Sequence, residues 1–312
     1  MIYYEIVNDK MGEDGNSMRI STEIGSFAKF IGEERAVELV AQAGFDCYDF
    51  SMMAMAYFDY GKWCIRDDYE SPLRDPKTAL AHARHIRRVA DSLGITCNQS
   101  HAPFPVYYDG IRRLLPYAIE CTAEVGGKIC VIHPANNLSA EENAVMFREL
   151  LPIAKSYGIK IATENMWNWS QAIQGPGPAA CSSPADFVRH IDVVADPDFG
   201  ACLDIGHAEM RGMKTSAPEM IRALGSRLIA IHLHDNDQFA DLHALPYTMQ
   251  IDFDAVLTAL AEVGYQGDLT LEADRFISTH YMHDIPAGVM ELGNCARRLQ
   301  AHMQEVLERG AK

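Results

Sequence analysis

Short apolar stretches alternate along the chain with longer segments in which apolar residues recur every third or fourth position. Apolar stretches of this length that are rich in β-branched residues predict strands buried on both faces. Eight such stretches are present, at residues 19–25, 46–50, 95–101, 128–133, 160–165, 199–204, 228–234 and 268–273. The segments 78–95 and 144–159 have helical spacing and end in Gly plus an apolar residue, which is typical of a helix C-cap.

The alternation of eight strands with helices predicts the fold. It fits an α/β protein with a closed (β/α)8 TIM barrel in a single domain. An open doubly wound sheet is the alternative, but no Gly-x-Gly-x-x-Gly follows the first strand. We expect the barrel to span residues 18–312, after a loose N-terminal extension at residues 1–17. Two long connections, at 51–76 and 166–183, carry many aromatic residues and belong to the face where barrel active sites form.

Charge and composition narrow the classes of partner. The formal net charge of −16 repels a phosphate backbone on average, so we expect no nucleic-acid partner. No apolar run approaches the ~20 residues that span a membrane, and the N-terminus has no signal-peptide pattern. The eight cysteines include no Cys-x-x-Cys pair and mostly lie in apolar runs. These features predict reduced thiols in a cytoplasmic protein without a membrane partner.

Six successive predicted strands end in histidine, aspartate or glutamate. The strand at 228–234, for example, runs directly into the sequence HLHDND. In a parallel barrel these strand ends meet in one mouth, where clustered carboxylates repel each other unless a cation neutralises them. Mixed imidazole and carboxylate ligands suit manganese, cobalt, zinc or iron. The sequence therefore predicts a divalent metal site among these side chains: His101, His133, Glu164, Asp204 with His207, His232 with His234, and Glu272.

Three motifs carry a resemblance to a known family: HAPF at 101–104, DIGH at 204–207 and HLHDND at 232–237. Across residues 18–310 the chain resembles the xylose isomerase-like barrel superfamily, which includes sugar-phosphate isomerases and epimerases, ketose 3-epimerases, inosose dehydratase and the endonuclease IV-type AP endonucleases. In the epimerases one metal is held by side chains of the last four strands. The resemblance implies a similar set here: Glu164, Asp204, His232 and Glu272. His207 matches a family histidine that contacts a substrate oxygen.

The expected activity is that of a metal-dependent isomerase or epimerase acting on a small ketose, keto-polyol or sugar phosphate. The cofactor is expected to be Mn²⁺, with Co²⁺, Zn²⁺ or Mg²⁺ as alternatives. The reaction is expected to pass through a metal-bound enediolate, with Glu164 and Glu272 as its acid and base. His101 and His133 are predicted to bind substrate hydroxyls or a second metal, and Trp167 to stack against a sugar face.

Four alternatives or departures bear on this prediction. Loss of a β-hydroxyl from the same enediolate would make the protein a keto-polyol dehydratase like inosose dehydratase. A zinc phosphodiesterase like endonuclease IV is less favoured, although Asp241 and His243 resemble its further ligands and could hold an additional metal. Ketose 3-epimerases carry a second glutamate six residues after the metal ligand of the fifth strand. This chain has Ser170 at that position, which is a departure from the pattern of those enzymes. A metal-stabilised sugar-binding protein is the non-enzyme alternative.

The last helical segment, at residues 290–310, mixes an apolar stripe with charges. We expect it to close the barrel and to pack against a neighbouring subunit in a homodimer or homotetramer. The expected partners of the protein are thus further copies of the chain, in addition to the small sugar or polyol substrate.

Overall fold

Eight parallel strands close into a barrel in the computed structural model, which describes residues 17–310. In chain order the barrel strands are β1 (Ile20–Glu23), β2 (Cys47–Ser51), β5 (Thr96–His101), β6 (Ile129–Val131), β7 (Lys160–Glu164), β10 (Phe199–Asp204), β11 (Leu228–Leu233) and β12 (Leu269–Leu271). Each strand pairs with the next, and β12 pairs back with β1. The predicted TIM barrel is confirmed, and the open doubly wound sheet is excluded.

The two long connections contain short antiparallel hairpins that the sequence analysis did not predict. The first hairpin pairs β3 (Phe58–Asp59) with β4 (Cys64–Ile65). The second pairs β8 (Trp167–Ser170) with β9 (Gly175–Pro178). The loops at 51–76 and 166–183 therefore present ordered walls at the mouth of the barrel.

Helices surround the barrel and end each strand–helix repeat. They are α1 (Gly25–Ile31), α2 (Glu33–Gln42), α3 (Pro76–Leu93), α4 (Asp109–Arg112), α5 (Leu115–Val125), α6 (Ala140–Tyr157), α7 (Pro184–Val194), α8 (Ile205–Glu209), α9 (Ala217–Leu224), α10 (Phe253–Glu262), α11 (Asp274–His280) and α12 (Ile285–Gly310). Helix α12 packs on β1, β12, α2 and α10 and so covers the seam where the barrel closes. The predicted role of the tail in closing the barrel is confirmed, and the oligomeric state stays a prediction.

Side chains at the first turns explain where several helices begin. Ser183 accepts a hydrogen bond from the Asp186 backbone N–H at the start of α7, and Pro184 takes the first helical position. Asp252 caps α10 by accepting from the Ala255 N–H. The first strand is shorter than the predicted 19–25, because α1 begins immediately after it.

Alternation along the strands explains why the mouth residues converge. Residues two apart on a strand share a face. Small side chains on the inward face form a separate cluster inside the barrel: Val131, Ala162, Cys202 and Ala230. Two positions further along the same four strands come His133, Glu164, Asp204 and His232. These four side chains therefore point inward at the carboxyl end of the barrel.

Few features of the fold bear on the cellular environment of the protein. All eight cysteines lie within the described region, and none forms a disulfide, as predicted. Among residues 17–310, no helix has both the length and the apolar character to cross a bilayer. Residues 1–16 lie outside the described residues, so the N-terminal extension at 1–17 stays a prediction, as does the cytoplasmic location.

The turn at Arg211–Met213 packs closely against the second hairpin. This close packing predicts that a larger residue in the turn would destabilise the protein. A Cβ added at Gly212 would overlap the carbonyl oxygen of Pro176, and backbone atoms cannot rotate away as a side chain can. We expect Gly212→Ala to lower the free energy of unfolding by about 3 kcal/mol. Urea unfolding measures this change. The matched control is Gly310→Ala, where an added Cβ meets nothing within 4 Å. An unchanged midpoint for Gly212→Ala would contradict the packing described here.

Candidate metal centre and active site

The first group of mouth residues consists of two histidines and a glutamate from β5, β6 and β7. His101 Nε2 lies 2.7 Å from His133 Nε2. Both nitrogens face Glu164 Oε2, at 3.4 Å from His101 and 3.3 Å from His133. Three potential ligand atoms that lie this close together on buried side chains can bind one cation.

The second group shares Glu164 with the first and adds His232 and Glu272. His232 Nδ1 lies 3.4 Å from Glu164 Oε2 and 3.3 Å from Glu272 Oε2. Ligand atoms bound to one metal at 2.0–2.2 Å are separated by about 3.0–3.5 Å in tetrahedral or octahedral geometry. The observed separations match that spacing. His101 Nδ1 lies 3.5 Å from Glu272 Oε1 and connects the two groups.

Asp204, the fourth ligand implied by the resemblance, turns toward a different neighbour. Its two carboxylate oxygens lie 2.9 and 3.0 Å from His234 Nε2, and one of them accepts a hydrogen bond from the His207 backbone N–H. His207 Nδ1 lies 3.8 Å from Glu164 Oε1 and 3.9 Å from Asp204 Oδ1, between the two carboxylates. The structure thus places Asp204 beside the predicted set and adds His234 as its partner.

The third group brings together His207, Asp241 and His243, two of which, Asp241 and His243, the sequence analysis named for an additional metal. Asp241 Oδ1 lies 3.4 Å from His207 Nε2 and 3.0 Å from His243 Nε2. The Nδ1–H of His207 donates to the Asn165 carbonyl, and that of His243 donates to the Glu272 carbonyl. These backbone contacts orient both rings so that Nε2 faces Asp241.

Unpaired buried atoms test whether these residues suit a metal. Among residues 17–310, Glu164 Oε2, His207 Nε2, His232 Nδ1 and Asp241 Oδ1 are buried without a hydrogen-bond partner. A buried polar atom without a partner costs roughly 1–3 kcal/mol. All four atoms face other candidate ligands, and a cation in the second group and another in the third would satisfy them. The residues present therefore fit a divalent metal, and the mixture of nitrogen and oxygen donors suits manganese, cobalt or zinc.

The pKa values of the two glutamates shift in opposite directions. Burial raises the pKa of Glu164, but the neighbouring imidazoles of His232, His133 and His101 outweigh burial, so the pKa lies well below its ordinary value. Burial raises the pKa of Glu272 well above its ordinary value; His232 opposes this shift and the charge of Glu164 adds to it. Both carboxyl groups are buried, so it is the different charges around them that give the two glutamates different pKa values.

His207 and Asp241 stabilise each other's charged forms. Burial lowers the pKa of His207, but the charges of Asp204 and Asp241 outweigh burial and raise it to about 10. Burial raises the pKa of Asp241, but His207 and His243 outweigh it and hold the pKa far below its ordinary value. In the third group, the charged forms of the histidines and of the aspartate therefore stabilise each other.

A buried pair behind His232 was missed by the sequence analysis. Gln99 Nε2 donates to Asp49 Oδ2 at 2.9 Å and lies 2.9 Å from His232 Nε2. Asp49 and His232 are fully buried. The pair holds the Nε2 side of the His232 ring, so that Nδ1 faces Glu164 and Glu272. The signal in the sequence was Asp49 itself, a charged residue inside the apolar strand β2.

Above these groups lies a cavity of about 430 Å³, a volume within the ~300–1,000 Å³ typical of small-molecule sites. Its lining includes the predicted Trp167, whose Nε1–H donates to Asp241 Oδ2 at 3.3 Å. It also includes Glu23, which the sequence analysis missed. Burial and the charges of Asp274 and Asp49 raise the pKa of Glu23 to about 7. The signal in the sequence was a glutamate at the end of the first barrel strand.

A parallel barrel with a cluster of imidazoles and carboxylates at its carboxyl end defines a class of protein with a candidate metal centre. Residues 37–287 match the family described as xylose isomerase-like TIM barrel. The chain belongs to this family, which confirms the resemblance drawn from the HAPF, DIGH and HLHDND motifs.

Two curated relatives match parts of the chain. The uncharacterized protein MJ1311 of Methanocaldococcus jannaschii is 33% identical over 164 residues, which cover 50% of this chain and 54% of that protein. The uncharacterized protein y4fM of Sinorhizobium fredii is 35% identical over 108 residues, covering 32% of this chain and 34% of that protein. The chain thus spans about half the length of the first relative and about a third of the second.

Solved structures share the fold over nearly the whole chain. A D-tagatose 3-epimerase-like protein is 20% identical with a TM-score of 0.68, and the match covers 95% of this chain and 100% of that one. An L-ribulose 3-epimerase is 17% identical with a TM-score of 0.67, covering 94% and 97%. A D-psicose 3-epimerase determined in the presence of D-fructose is 15% identical with a TM-score of 0.64, covering 93% and 99%. At these identities the likeness shows the fold alone.

Proposed function

We propose that the protein is a divalent-metal-dependent isomerase or epimerase of a small ketose, keto-polyol or sugar phosphate. One observation carries the proposal: two buried glutamates, Glu164 and Glu272, approach the same nitrogen, His232 Nδ1, to within 3.4 and 3.3 Å at the floor of the cavity. They come from β7 and from the end of β12, so they reach the cavity from different sides. The names of the ketose 3-epimerases with the same fold support the proposal.

The proposed metal ligands are Glu164, Asp204, His232 and Glu272. Mn²⁺ is the proposed ion, with Co²⁺, Zn²⁺ or Mg²⁺ as alternatives. When bound, the ion acts as a Lewis acid that makes the C–H bond beside a carbonyl more acidic. Asp241 and His243, whose Oδ1 and Nε2 atoms lie 3.0 Å apart, are proposed to hold an additional ion.

The chain's own carboxylates are proposed to move the proton. One of Glu164 and Glu272 removes the proton from the carbon beside the carbonyl, and the other returns it. Return to the opposite face of the same carbon gives an epimer, and return to the neighbouring carbon gives an aldose. His207 orients a substrate oxygen, His101 and His133 contact hydroxyl groups, and the Trp167 ring forms a wall of the cavity.

A second candidate function is metal-dependent phosphodiester cleavage. It is favoured by the number of potential ligands that the mouth gathers: His101, His133, Glu164, Asp204, His207, His232, Asp241, His243 and Glu272. The formal net charge of −16 opposes it, because most affinity for DNA comes from lysine and arginine at the phosphates. Tyr60 and Trp167, one from each aromatic loop, line the cavity, and its volume of about 430 Å³ suits a small ligand better than a duplex.

The test of the proposed function is a substrate panel in deuterated water. Manganese- and zinc-loaded protein is incubated with ketoses, keto-inositols and their phosphates, and separately with duplex DNA that contains an abasic site. We expect conversion of at least one small polyol, with solvent deuterium at the carbon beside the carbonyl, and intact DNA. Nicked DNA without sugar turnover would establish the phosphodiesterase instead. Sugar binding without any turnover would leave a metal-stabilised sugar-binding protein.

A further inference from the structure

A second cleft adjoins the mouth cavity. Its volume is about 360 Å³, and four residues line both spaces: Tyr60, Phe104, His133 and Met166. The rest of its lining includes the aromatic residues Trp63 and Tyr107 and the amides of Asn136, Asn137 and Asn168. The shared lining places the cleft within reach of a ligand that occupies the mouth.

Exposed aromatic rings form one wall of the cleft. Trp63 stacks on Tyr107 with ring centroids 5.6 Å apart and an angle of 18° between the planes. Phe58 supports this wall with edge contacts to Tyr60 at 5.0 Å and Trp63 at 5.5 Å. The exposed fractions nevertheless remain 54% for Tyr60, 58% for Trp63 and 44% for Tyr107. These rings are fixed in position while their faces stay accessible.

The backbone at Trp63 supports a role other than core packing. Its φ is +56°, in the left-handed region that costs an ordinary residue about 1 kcal/mol or more. The residue lies in the turn between β3 and β4, and more than half of its side chain remains exposed, so burial offsets little of this cost. The strained turn presents a large aromatic ring beside the cleft.

Three asparagines form another part of the lining: Asn136, Asn137 and Asn168. Asn136 Nδ2 donates to Asn168 Oδ1 at 3.1 Å, and Asn168 Nδ2 donates to Asn137 Oδ1 at 3.0 Å. The chain of amides fixes the orientation of all three. Within the described part of the chain, Asn136 Oδ1 and Asn137 Nδ2 make no hydrogen bond, which leaves one acceptor and one donor for a ligand.

We infer that the substrate carries a second sugar ring, which binds in the aromatic cleft while the keto-sugar unit binds in the mouth. The inference rests on the proposed function. A sugar ring has apolar C–H faces that pack on aromatic rings and hydroxyl edges that pair with amides. No Asp, Glu, Lys or Arg is among the residues that line this cleft within 17–310, so the second unit is neutral and not a phosphate. The substrate class is a keto-disaccharide or a glycoside of a ketose.

Calorimetric titration of the full chain, loaded with manganese, tests this inference. The probes are a panel of neutral keto-disaccharides and the free ketoses that form their keto-sugar halves. We expect at least one disaccharide to bind about tenfold more tightly than its free ketose. This difference in affinity is the margin, and we expect Trp63→Ala to remove it. Trp63→Phe, which keeps a ring, should restore most of it. The matched control is Trp169→Ala: this tryptophan is also exposed, at 47%, but packs on Phe239 away from the cleft.

The outcomes separate the inference from the proposed function. Equal affinities for disaccharide and free ketose in the unmodified protein, or a margin that survives Trp63→Ala, would overturn the second-ring inference. Turnover measured on the same panel reports on the proposed function independently. A margin that depends on Trp63 without turnover of any sugar supports the two-ring ligand while the isomerase proposal fails; turnover of a ketose without a margin does the reverse.

Discussion

Removal of the proposed divalent metal is expected to abolish turnover and to lower the unfolding midpoint by about 10 °C. A ligand present at a thousand times its Kd stabilises the folded state by about 4 kcal/mol, and a chain of this size shifts by ~2–4 °C per kcal/mol. We expect this loss of stability because the mouth of the barrel gathers four carboxylates among the rings of six histidines. The carboxylates are those of Glu164, Asp204, Asp241 and Glu272. Without a cation these carboxylates repel each other in a poorly solvated space.

Scanning calorimetry and activity assays before and after dialysis against a chelator measure both effects. Manganese or cobalt should restore them more fully than calcium, because calcium prefers oxygen ligands. Metal analysis of Asp241→Asn then distinguishes the groups: if the third group binds its own ion, this variant loses only that ion and keeps the one between Glu164, His232 and Glu272. Full activity and an unchanged midpoint in the chelated protein would contradict a metal centre.

The barrel could be predicted because eight strand-like runs alternate regularly with helical segments along the chain. The helices between the runs carry start signals such as Ser183 and Asp252 and stop signals such as Gly94 and Gly158. The hairpins could not be predicted in this way. The strand β3 has two residues, and β9 reads GPGP, a sequence that by itself favours a turn. In the structure it pairs with β8 and packs against the turn at Gly212, which is remote in sequence.

The convergence of the mouth residues could also be predicted, because all parallel strands of a barrel end on the same face. The pairing among those residues could not. Asp204 lies against His234, and the selection between His232 and His234 depends on which ring reaches Glu164 and Glu272. That geometry is set by side chains beneath the mouth, such as Gln99, whose contact with His232 joins residues 133 positions apart.

Glu23 shows what a reading of separate motifs misses. It closes β1 and lines the cavity together with the predicted residues, but its strand carries no histidine or metal motif that would single it out. A single glutamate at the end of an apolar strand is an ambiguous pattern. It becomes informative only when the other strand ends are considered together, since the carboxyl ends of all eight strands face the same cavity.

Replacing Glu272 by Gln is expected to lower kcat by roughly 10³-fold, within the ~10²–10⁴ that general acid–base catalysis contributes. Glutamine keeps the size of the side chain but cannot accept or return a proton at neutral pH. The side chain is buried and its Oε2 lies 3.3 Å from His232 Nδ1, so the substitution also weakens the proposed metal site. His101→Asn should cost less, because the proposed role of that ring is a hydroxyl contact without proton transfer.

Metal content and solvent exchange distinguish the two contributions of Glu272. If Glu272→Gln retains its metal and still exchanges the substrate proton with deuterated water, then Glu164 removes the proton and only its return to the product has been lost. If metal and exchange both disappear, the ligand role of Glu272 dominates. Glu164→Gln is the matched comparison, since this glutamate faces the same His232 nitrogen at 3.4 Å from β7. Near-normal kcat in Glu272→Gln would contradict the proposed pair, because no arrangement of two glutamates as acid and base leaves either one dispensable.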